Sequence, residues 1–501
     1  MLPWKTIIKT EKSSNLPVYL QIANSIIKEI KRGTIKAGGR MPGSRQMAEA
    51  LSVHRKTIVN AYDELLAQNW LTTTPSKGTF VSEHLPEITP LKFNIGKRKT
   101  KDGEGEGFSF KEKSFIHVPS KTWRDMTGFH DGPDVRLVPY EIISKTYRSI
   151  MNRKSSLINF SYVDGEGKYT LRKVLSDYLN DSRGLQTTYE NIFLTRGSQM
   201  GIYLATEVLL KKDDNVIIGN LNYEYVNLTF LNRGCKLNRV PVDDDGLDVA
   251  AIEKICKRKK IRAVYVTPHH HFPTTVTLSA ARRMQLLTLS EKFGFIILED
   301  DYDYDFHYKS APILPLASAD HKGMVIYVGT LSKSVAPALR IGYVVASKKL
   351  VMEFARLRQL IDVQGDPFME QTVAELFLQG EIRRHMKKVL KEYEQRRDFM
   401  CAMLKEKLSD VIDFNIPNGG IAIWAKFDKK INLPELALEL RRKDLVLSGG
   451  TIHNHSGEKL NSTRMGFGWM NIRETERAIN KLNEHIRKKA SPLTPLRRRG
   501  E

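Results

Sequence analysis

The stretch VIYVGTLSKSVAPALRIGYVV, residues 325–345, decides the fold prediction for most of this chain. Its first residues, 325–328, are β-branched or aromatic and predict a buried strand, which ends at a Gly-Thr pair. Lys333 follows that pair, and Arg340 comes seven residues later. Because ligands of open α/β sheets bind beyond the carboxyl ends of the strands, we expect both cations to lie in a ligand-binding crevice.

Three further apolar runs end in polar or aromatic residues. They are NVIIGNLNYEY at 215–225, RAVYVTPHHHFPTT at 262–275 and GFIILEDDYDYDF at 294–306. The side chains of interest at their ends are Tyr223, His271, Asp300 and Tyr302. Such runs alternate with helical patterns across residues 123–490, which is typical of a mostly parallel sheet covered by helices. The predicted crevice therefore holds a lysine, a carboxylate, tyrosines and an arginine.

These residue types meet the chemical requirements of pyridoxal 5'-phosphate (PLP). An aldehyde cofactor needs a primary amine for a Schiff base, which Lys333 supplies. A carboxylate facing the pyridine nitrogen keeps the ring protonated, and Asp300 fits that role. The cofactor phosphate needs an arginine, and Arg340 is available. Taken singly, each residue also fits an ordinary solvated loop, so the prediction depends on their order and on their positions after strands.

A turn-to-helix segment, TRGSQMGIYLATEVLL at 195–210, completes the predicted phosphate site. It places Ser198 and Gln199 at a helix N-terminus, where free amides and the helix dipole favour phosphate. Tyr223 is predicted to stack on the cofactor ring, and Tyr302 to donate to its phenolate oxygen.

The N-terminal residues predict three helices and a hairpin. The helices are PVYLQIANSIIKEIKRG at 17–33, GSRQMAEALSV at 43–53, with Ser44 as the expected cap, and HRKTIVNAYDELLAQNW at 54–70. The hairpin is WLTTTPSKGTFV at 70–81. This arrangement is typical of a winged helix-turn-helix. The core face of the third helix leaves Arg55, Lys56 and Thr57 exposed on its first turn, which suits the major groove of DNA, and Lys77 in the hairpin could reach the adjacent groove. The alternative is that these cations only form a solvated face.

The charge of the chain agrees with a polyanionic partner. Its formal net charge is +22 at pH 7 and its pI is near 9.6. A lysine-rich proteome without such a partner is the alternative. Only three cysteines occur, without metal-type spacing, and no signal peptide or membrane segment is apparent. We therefore expect a cytoplasmic protein that does not bind membranes and holds no metal.

The expected organisation has four parts. Residues 1–82 form the winged helix-turn-helix, residues 83–122 a flexible linker, residues 123–490 the PLP-binding domain and residues 491–501 a basic tail. The fold class is therefore multidomain: an α+β winged helix-turn-helix followed by an α/β domain.

Residues 17–82 resemble the GntR-type winged helix-turn-helix, and residues 125–490 resemble the fold type I aminotransferases, including DGPDVRLVPYEIISKTYRSI and YVDGEGKYTLRKVLSDYLNDSRGL. The combination resembles the MocR/GabR family of regulators. The resemblance implies DNA contacts by Ser44, Arg45, Arg55, Lys56 and Thr57. It also implies a Schiff base at Lys333, phosphate binding by Arg340, Thr330 and Ser198, and a homodimer. Arg464, in TRMGFGWM, is where aminotransferases bind a substrate carboxylate.

The chain departs from the family pattern in its ligand-binding part and at one helix cap. The family often has His-Gln-Phe-Pro-Thr-Gly, whereas this chain has His271 and Thr275 in place of glutamine and glycine. We expect His271 to line the ring pocket and to tune it by titrating near neutral pH. Tyr225 occupies a position where relatives that bind an amino acid carboxylate can carry arginine. His54 stands where a small capping residue is usual.

Three functions are compatible with this sequence. The first is a transcriptional regulator that binds an operator in double-stranded DNA and responds to a small amino compound. The second is a catalytically active aminotransferase with an accessory DNA-binding domain, because Lys333 is present. The third is a direct sensor of PLP. The winged helix-turn-helix favours the first.

Overall fold

The computed structural model describes residues 3–11, 16–85, 127–308, 313–453 and 460–490. The chain forms two compact units, residues 1–112 and 113–501. Of the predicted linker, only residues 83–85 are among those described, and the predicted tail lies outside them. Within the described ranges, no helix is both long enough and apolar enough to cross a membrane.

The described part of the first unit contains four helices and a two-stranded antiparallel sheet. Its elements are α1 (Trp4–Ile7), α2 (Val18–Lys31), α3 (Ser44–Leu51), α4 (Arg55–Ala67), β1 (Leu71–Thr74) and β2 (Gly78–Val81). Helices α2, α3 and α4 correspond to the three predicted helices, and β1 and β2 form the predicted wing. The winged helix-turn-helix prediction is confirmed.

The core of this unit comes from one apolar face of each helix. Ile22 and Ile26 of α2, Met47 of α3, and Ile58 and Leu65 of α4 are all completely shielded from solvent. Ile22 and Ile26 are four residues apart and Ile58 and Leu65 are seven apart, which places each pair on one face of its helix.

The N-terminal caps of α3 and α4 differ from those expected from the sequence. The prediction of Ser44 as a cap was wrong: Gly43 is the N-cap, in an extended conformation, and Ser44 is the first helical residue. The Ser44 hydroxyl instead accepts a hydrogen bond from Nε of Arg55 at 3.3 Å. His54 caps α4 with its own ring, because Nδ1 accepts a hydrogen bond from the backbone N–H of Lys56 at 3.2 Å.

The second unit is built on a seven-stranded sheet. In spatial order its strands are β4 (Ile192–Thr195), β12 (Gly342–Val345), β11 (Val325–Thr330), β10 (Ile296–Asp301), β9 (Ile261–Val266), β5 (Asn215–Gly219) and β6 (Lys236–Val240). Strand β12 is antiparallel to both of its neighbours, and all other pairs are parallel. The predicted mostly parallel sheet is therefore confirmed.

Helices cover both faces of this sheet. They are α5 (Tyr140–Met151), α6 (Tyr169–Arg183), α7 (Ser198–Leu209), α8 (Glu224–Arg233), α9 (Val249–Cys256), α10 (Ala280–Phe293), α11 (Lys348–Arg358), α12 (Pro367–Leu378) and the long α13 (Glu381–Leu408). Val216 and Ile218 of β5 share a core cluster with residues of α7, α8 and α11, whereas Ile217 shares one with residues of α9 and α10. This two-sided burial explains why strands such as β11 read as continuous apolar runs.

Shorter sheets complete the unit. An antiparallel sheet contains β13 (Ile412–Asp413), β14 (Ala422–Phe427) and β16 (Ser462–Gly466). In the chain, α14 (Leu433–Arg441) lies between β14 and β16, and α15 (Ile472–Ala490) follows β16. Strand β3 (Thr127–Gly128) pairs in parallel with β15 (Leu445–Val446). The hairpin of β7 (Val242–Asp243) and β8 (Gly246–Leu247) lies between β6 and α9 in the chain. The β3–β15 pair brings the start of this unit to its C-terminal part.

Candidate functional site

A cavity of about 320 Å³ lies beyond the carboxyl ends of β9, β10 and β11. It combines charged, hydroxyl-bearing and aromatic side chains. The lining residues are Asp131, Gly197, Ser198, Gln199, Tyr223, Tyr265, Thr267, Phe272, Asp300, Tyr302, Thr330, Ser332, Lys333 and Arg340. The structure therefore brings together all eight residues predicted to bind the cofactor.

Lys333 is the only amine among these lining residues. It lies three residues beyond β11, and its side chain is half-buried. Its Nζ donates a hydrogen bond to the backbone oxygen of Asp131 at 2.7 Å. A primary amine in a partly enclosed cavity can act as a nucleophile toward a carbonyl compound.

Asp300 has one satisfied and one unsatisfied carboxylate oxygen. Its Oδ2 accepts a hydrogen bond from the hydroxyl of Tyr265 at 2.8 Å. Its Oδ1 is buried and has no hydrogen-bond partner among the described residues. Burial, reinforced by the nearby charges of Asp301 and Asp303, raises the pKa of Asp300 to about 7, and the Tyr265 hydrogen bond opposes that rise. A cationic N–H donor in the cavity would supply the hydrogen bond that Oδ1 lacks.

An anion-binding corner forms where α7 begins. Gly197, with φ of 83°, leads into the helix at Ser198. The guanidinium of Arg340 lies beside it and donates to the backbone oxygen of Arg196 at 2.6 Å. A Cβ atom on Gly197 would lie 2.7 Å from Nη2 of Arg340, so only glycine leaves this corner open. The hydroxyl of Thr330 lines the same cavity as the guanidinium of Arg340 and the N-terminus of α7.

An aromatic wall borders the cavity. The ring of Phe272 lies 5.1 Å from that of Tyr223 and 6.3 Å from that of Tyr302, and Tyr225 lies 5.6 Å from Tyr223. The hydroxyl of Tyr302 donates to the backbone oxygen of His270 at 2.9 Å. Donation by Tyr302 to a ring oxygen would therefore require this bond to break. Gln199 is held by a hydrogen bond of 2.9 Å to the hydroxyl of Thr229.

Arg464 donates two hydrogen bonds and makes one ion pair, while its Nε has no hydrogen-bond partner among the described residues. Nε lies 3.1 Å from Oδ2 of Asp131, Nη1 donates to the backbone oxygen of Pro273 at 3.2 Å, and Nη2 donates to the hydroxyl of Tyr302 at 3.3 Å. Its side chain is only 2% exposed. Asp131, rather than Arg464, is among the residues that line the cavity.

The three consecutive histidines have different partners. Nδ1 of His269 lies 3.2 Å from Asp301, Nδ1 of His270 lies 2.9 Å from Asp303, and Nε2 of His271 donates to the backbone oxygen of Leu221 at 2.9 Å. No group of side chains in the described ranges is suited to a metal ion.

The prediction that His271 titrates near neutral pH is wrong. Burial, with a further contribution from the charge of Arg464, lowers the pKa of His271 to about 4, although the bond to Leu221 acts in the opposite direction. The residue is also not among those lining the cavity. Thr275 has φ of 65°, which explains why glycine suits this position.

Several lining residues were not singled out from the sequence. They are Asp131, Gly197, Tyr265, Thr267, Phe272 and Ser332. Ser332 is adjacent to Lys333, and its Oγ lies 2.9 Å from that of Thr330, so the Thr-Leu-Ser-Lys order carried a usable signal. Tyr265 and Thr267 lie at the end of β9, the type of position already used to select Asp300.

The winged unit presents a basic surface. Arg45, Arg55, Lys56 and Lys77 are exposed, whereas Ser44 and Thr57 are half-buried. The Arg55–Ser44 hydrogen bond connects the first turns of α3 and α4. Lys77 lies in the turn between β1 and β2.

The two units and the cavity define the class of protein: a winged helix-turn-helix joined to a fold type I aminotransferase domain. Residues 139–482 match the family described as aminotransferase class I and II, and the chain belongs to that family. Residues 18–81 match the bacterial regulatory proteins of the gntR family.

Relatives with the same two-part organisation are named as regulators. The chain is 26% identical over 488 residues to the uncharacterized HTH-type transcriptional regulator YdfD of Bacillus subtilis, covering 96% of this chain and 98% of that protein. It is 25% identical over 427 residues to the probable rhizopine catabolism regulatory protein MocR of Rhizobium meliloti, covering 84% of each. It is 26% identical over 455 residues to the HTH-type transcriptional regulator NorG of Staphylococcus aureus, covering 90% and 100%.

Solved structures similar to this chain are aminotransferases. An archaeal alanine:glyoxylate aminotransferase superposes with a TM-score of 0.69 at 26% identity, covering 74% of this chain and 92% of that one. The kynurenine aminotransferase of Pyrococcus horikoshii gives a TM-score of 0.70 at 25% identity, covering 76% and 98%.

Proposed function

We propose that the chain is a transcriptional regulator that binds double-stranded DNA through its winged helix-turn-helix and holds PLP at Lys333. The observation that carries the proposal is the cavity, where Lys333, the unsatisfied Oδ1 of Asp300 and the corner beside Arg340 lie together in a chain that begins with a winged helix. Such a regulator acts in the cytoplasm, where its DNA is accessible.

The residues of the cavity fit PLP one by one. Lys333 supplies the amine, and Oδ1 of Asp300 would accept from the protonated pyridine nitrogen. Arg340, the N-terminus of α7, and the hydroxyls of Ser198 and Thr330 suit a phosphate dianion. When bound, PLP supplies a carbonyl carbon that reacts with primary amines and a ring that withdraws electrons.

The chain's own residues would position a ligand. Nζ of Lys333 is positioned by its hydrogen bond to the backbone oxygen of Asp131, its only hydrogen-bond partner in the described ranges. Tyr223 and Phe272 line the same cavity as Lys333 and give it an apolar surface. Tyr265 keeps the Asp300 carboxylate in one orientation.

Regulation requires that the ligand prefer one conformation of the chain. An amino compound that binds the cavity changes DNA affinity only if it has different affinities for the DNA-binding and the non-binding states. Under the proposal, this ligand is the effector, and the response is a change in the affinity of the chain for DNA.

A second candidate is an aminotransferase with an accessory DNA-binding domain. The observation in its favour is that Lys333, Asp300 and Tyr265 line one cavity. Direct sensing of PLP is the third candidate. These functions differ in outcome: an enzyme cycles with a keto acid, a regulator changes its DNA affinity with an amine, and a PLP sensor changes it with PLP alone.

The second unit has an apolar surface that supports a homodimer. In residues 154–163, Leu157, Ile158, Phe160 and Tyr162 are all more than three-fifths exposed, and Leu360 is 84% exposed. Monomeric proteins rarely expose so many large apolar side chains together, and paired winged helices suit repeated DNA half-sites. Sedimentation equilibrium of the full chain tests this assembly.

Replacing Lys333 with alanine tests the central assignment. The purified chain supplied with PLP should absorb in the visible range, and Lys333→Ala should lose that band while its thermal unfolding stays close to that of the unchanged protein. Lys349→Ala, an exposed lysine in α11, is the matched control and should keep the band. A persistent band in Lys333→Ala would falsify the assignment.

A DNA-binding assay on the same samples separates the candidate functions. A regulator should change its affinity for DNA when an amine is added to the PLP-loaded chain. Steady turnover of an amino donor and a keto acceptor at about one per second or faster would instead indicate the enzyme.

A further inference from the structure

Arg464 is paired with Asp131, an acidic residue that lines the cavity. Arg464 is already held by two hydrogen bonds and by an ion pair with Asp131 that is 3.1 Å long. Removing one partner of a buried ion pair leaves an uncompensated charge, which is strongly unfavourable. A ligand carboxylate could reach Arg464 only by displacing Asp131.

Asp131 lines the cavity, and one oxygen of its carboxylate can still accept a hydrogen bond. Its Oδ1 is buried and lacks a hydrogen-bond partner within the part of the chain described, although Oδ2 is paired with Arg464. Burial tends to raise the pKa of Asp131, but the cations Arg464 and Lys333 outweigh it and keep the pKa below its ordinary value. Asp131 is therefore ionised, and Oδ1 is available to a donor on a ligand.

The backbone around Asp131 is held on both sides. On one side, strand β3 pairs with β15, and Gly466 of β16 is so close that a Cβ atom there would collide with the backbone oxygen of His130. On the other side, Asp134 is paired with the buried Arg396 at 3.0 Å. These contacts hold the backbone of Asp131 in place, and the ion pair with Arg464 holds its carboxylate.

We propose that the cavity is selective for diamines: aliphatic amines that carry a second cationic group and no carboxylate. One amine faces Lys333, and the distal ammonium binds Oδ1 of Asp131. The aliphatic chain lies along Tyr223 and Phe272, whose rings tolerate both methylene groups and a nearby cation. An amino acid meets the ionised Asp131 with its own carboxylate and is disfavoured. This inference rests on the proposed function and specifies its effector class.

Three ligands of matched length test this selectivity: cadaverine, 5-aminovalerate and n-pentylamine. Isothermal titration of the full chain loaded with PLP should show cadaverine binding roughly tenfold or more tighter than pentylamine, because only cadaverine makes the charge-assisted hydrogen bond. The carboxylate of 5-aminovalerate should make it the weakest of the three.

The Asp131→Asn variant assigns the effect to this carboxylate. It should weaken cadaverine roughly tenfold to a hundredfold more than it weakens pentylamine, since pentylamine has no distal cation. A purely structural role for Asp131 would weaken both ligands equally. Asp244→Asn removes an exposed carboxylate from the same unit and should leave all three affinities as they are.

The absorbance of bound PLP is recorded before each titration, so that two failures can be told apart. A chain that never acquires the band overturns the proposed cofactor. A normal band with 5-aminovalerate binding as tightly as cadaverine, or with equal losses for both amines in Asp131→Asn, overturns the diamine proposal alone.

Discussion

The hydroxyl of Tyr265 donates a hydrogen bond of 2.8 Å to Oδ2 of Asp300, while Oδ1 of the same carboxylate has no partner in the described ranges. Burial raises the pKa of Asp300 to about 7, so ionisation of this carboxyl group is costly. A cationic ring nitrogen beside Oδ1 would favour the ionised form. Tyr265 thus holds Oδ2 of Asp300, and Oδ1 is left to accept a hydrogen bond from a cofactor.

Asp300→Asn should weaken PLP binding. The neutral amide cannot form a charge-assisted bond with a protonated ring nitrogen, so we expect a loss of roughly tenfold to a hundredfold in affinity. Tyr265→Phe keeps the carboxylate and should have a smaller effect in the same direction. Absorbance titration with PLP measures both. Equal affinity in Asp300→Asn and the unchanged chain would show that this carboxylate does not face the ring.

Gly197→Ala should damage the anion-binding corner specifically. Alanine at φ of 83° is strained, and its Cβ would displace the guanidinium of Arg340. Gly294→Ala is the matched control, since Gly294 has φ of 70° and nothing within 4 Å of the added Cβ. Both variants should lose about 1–3 kcal/mol of stability. Only Gly197→Ala should also lose affinity for PLP, and comparable losses in both would rule out a local role for the corner.

His271→Gln should remove part of the acid sensitivity of the fold. The folded chain keeps His271 neutral with a pKa of about 4, whereas an exposed histidine titrates near 6.5. The unfolded chain therefore takes up a proton below pH 6.5 that the folded chain does not, so this residue's contribution to stability is lost as pH falls from 6.5 toward 4.

Between pH 7 and pH 4.5, the unchanged chain should lose about 2–3 kcal/mol of stability relative to His271→Gln. Urea unfolding of both proteins at the two pH values measures this difference. A difference that does not vary with pH would mean that His271 carries the same charge in both states.

The sequence predicted the main fold because its pattern is local and repeated. Buried strands such as β11 begin as apolar runs, and helices α2 and α4 of the winged unit each have an apolar face. Lys333 and Asp300 could be assigned because strand ends meet at one edge of a parallel sheet.

Asp131 could not be assigned in this way. It lies on an irregular segment after β3, and it reaches the cavity because β3 pairs with β15, which is more than 300 residues away in sequence. The environment of His271 was equally inaccessible, since burial sets its pKa and a single sequence carries no measure of burial at that position. Long-range pairing and desolvation, rather than local propensity, account for what the sequence left out.

Arg55→Ala and Lys56→Ala should each weaken DNA binding and reduce its dependence on salt. Both side chains are exposed at the N-terminus of α4, where cations that neutralise phosphates release bound counterions. The slope of log affinity against log salt should fall by about one for each phosphate that the variant no longer neutralises. Fluorescence anisotropy with a random-sequence duplex over a range of salt concentrations measures this slope. Lys28→Ala removes an exposed cation from α2 and should leave the slope unchanged. If Arg55→Ala and Lys56→Ala behave like Lys28→Ala, α4 is not the DNA-contacting helix, because a cation that neutralises a phosphate cannot be removed without altering counterion release.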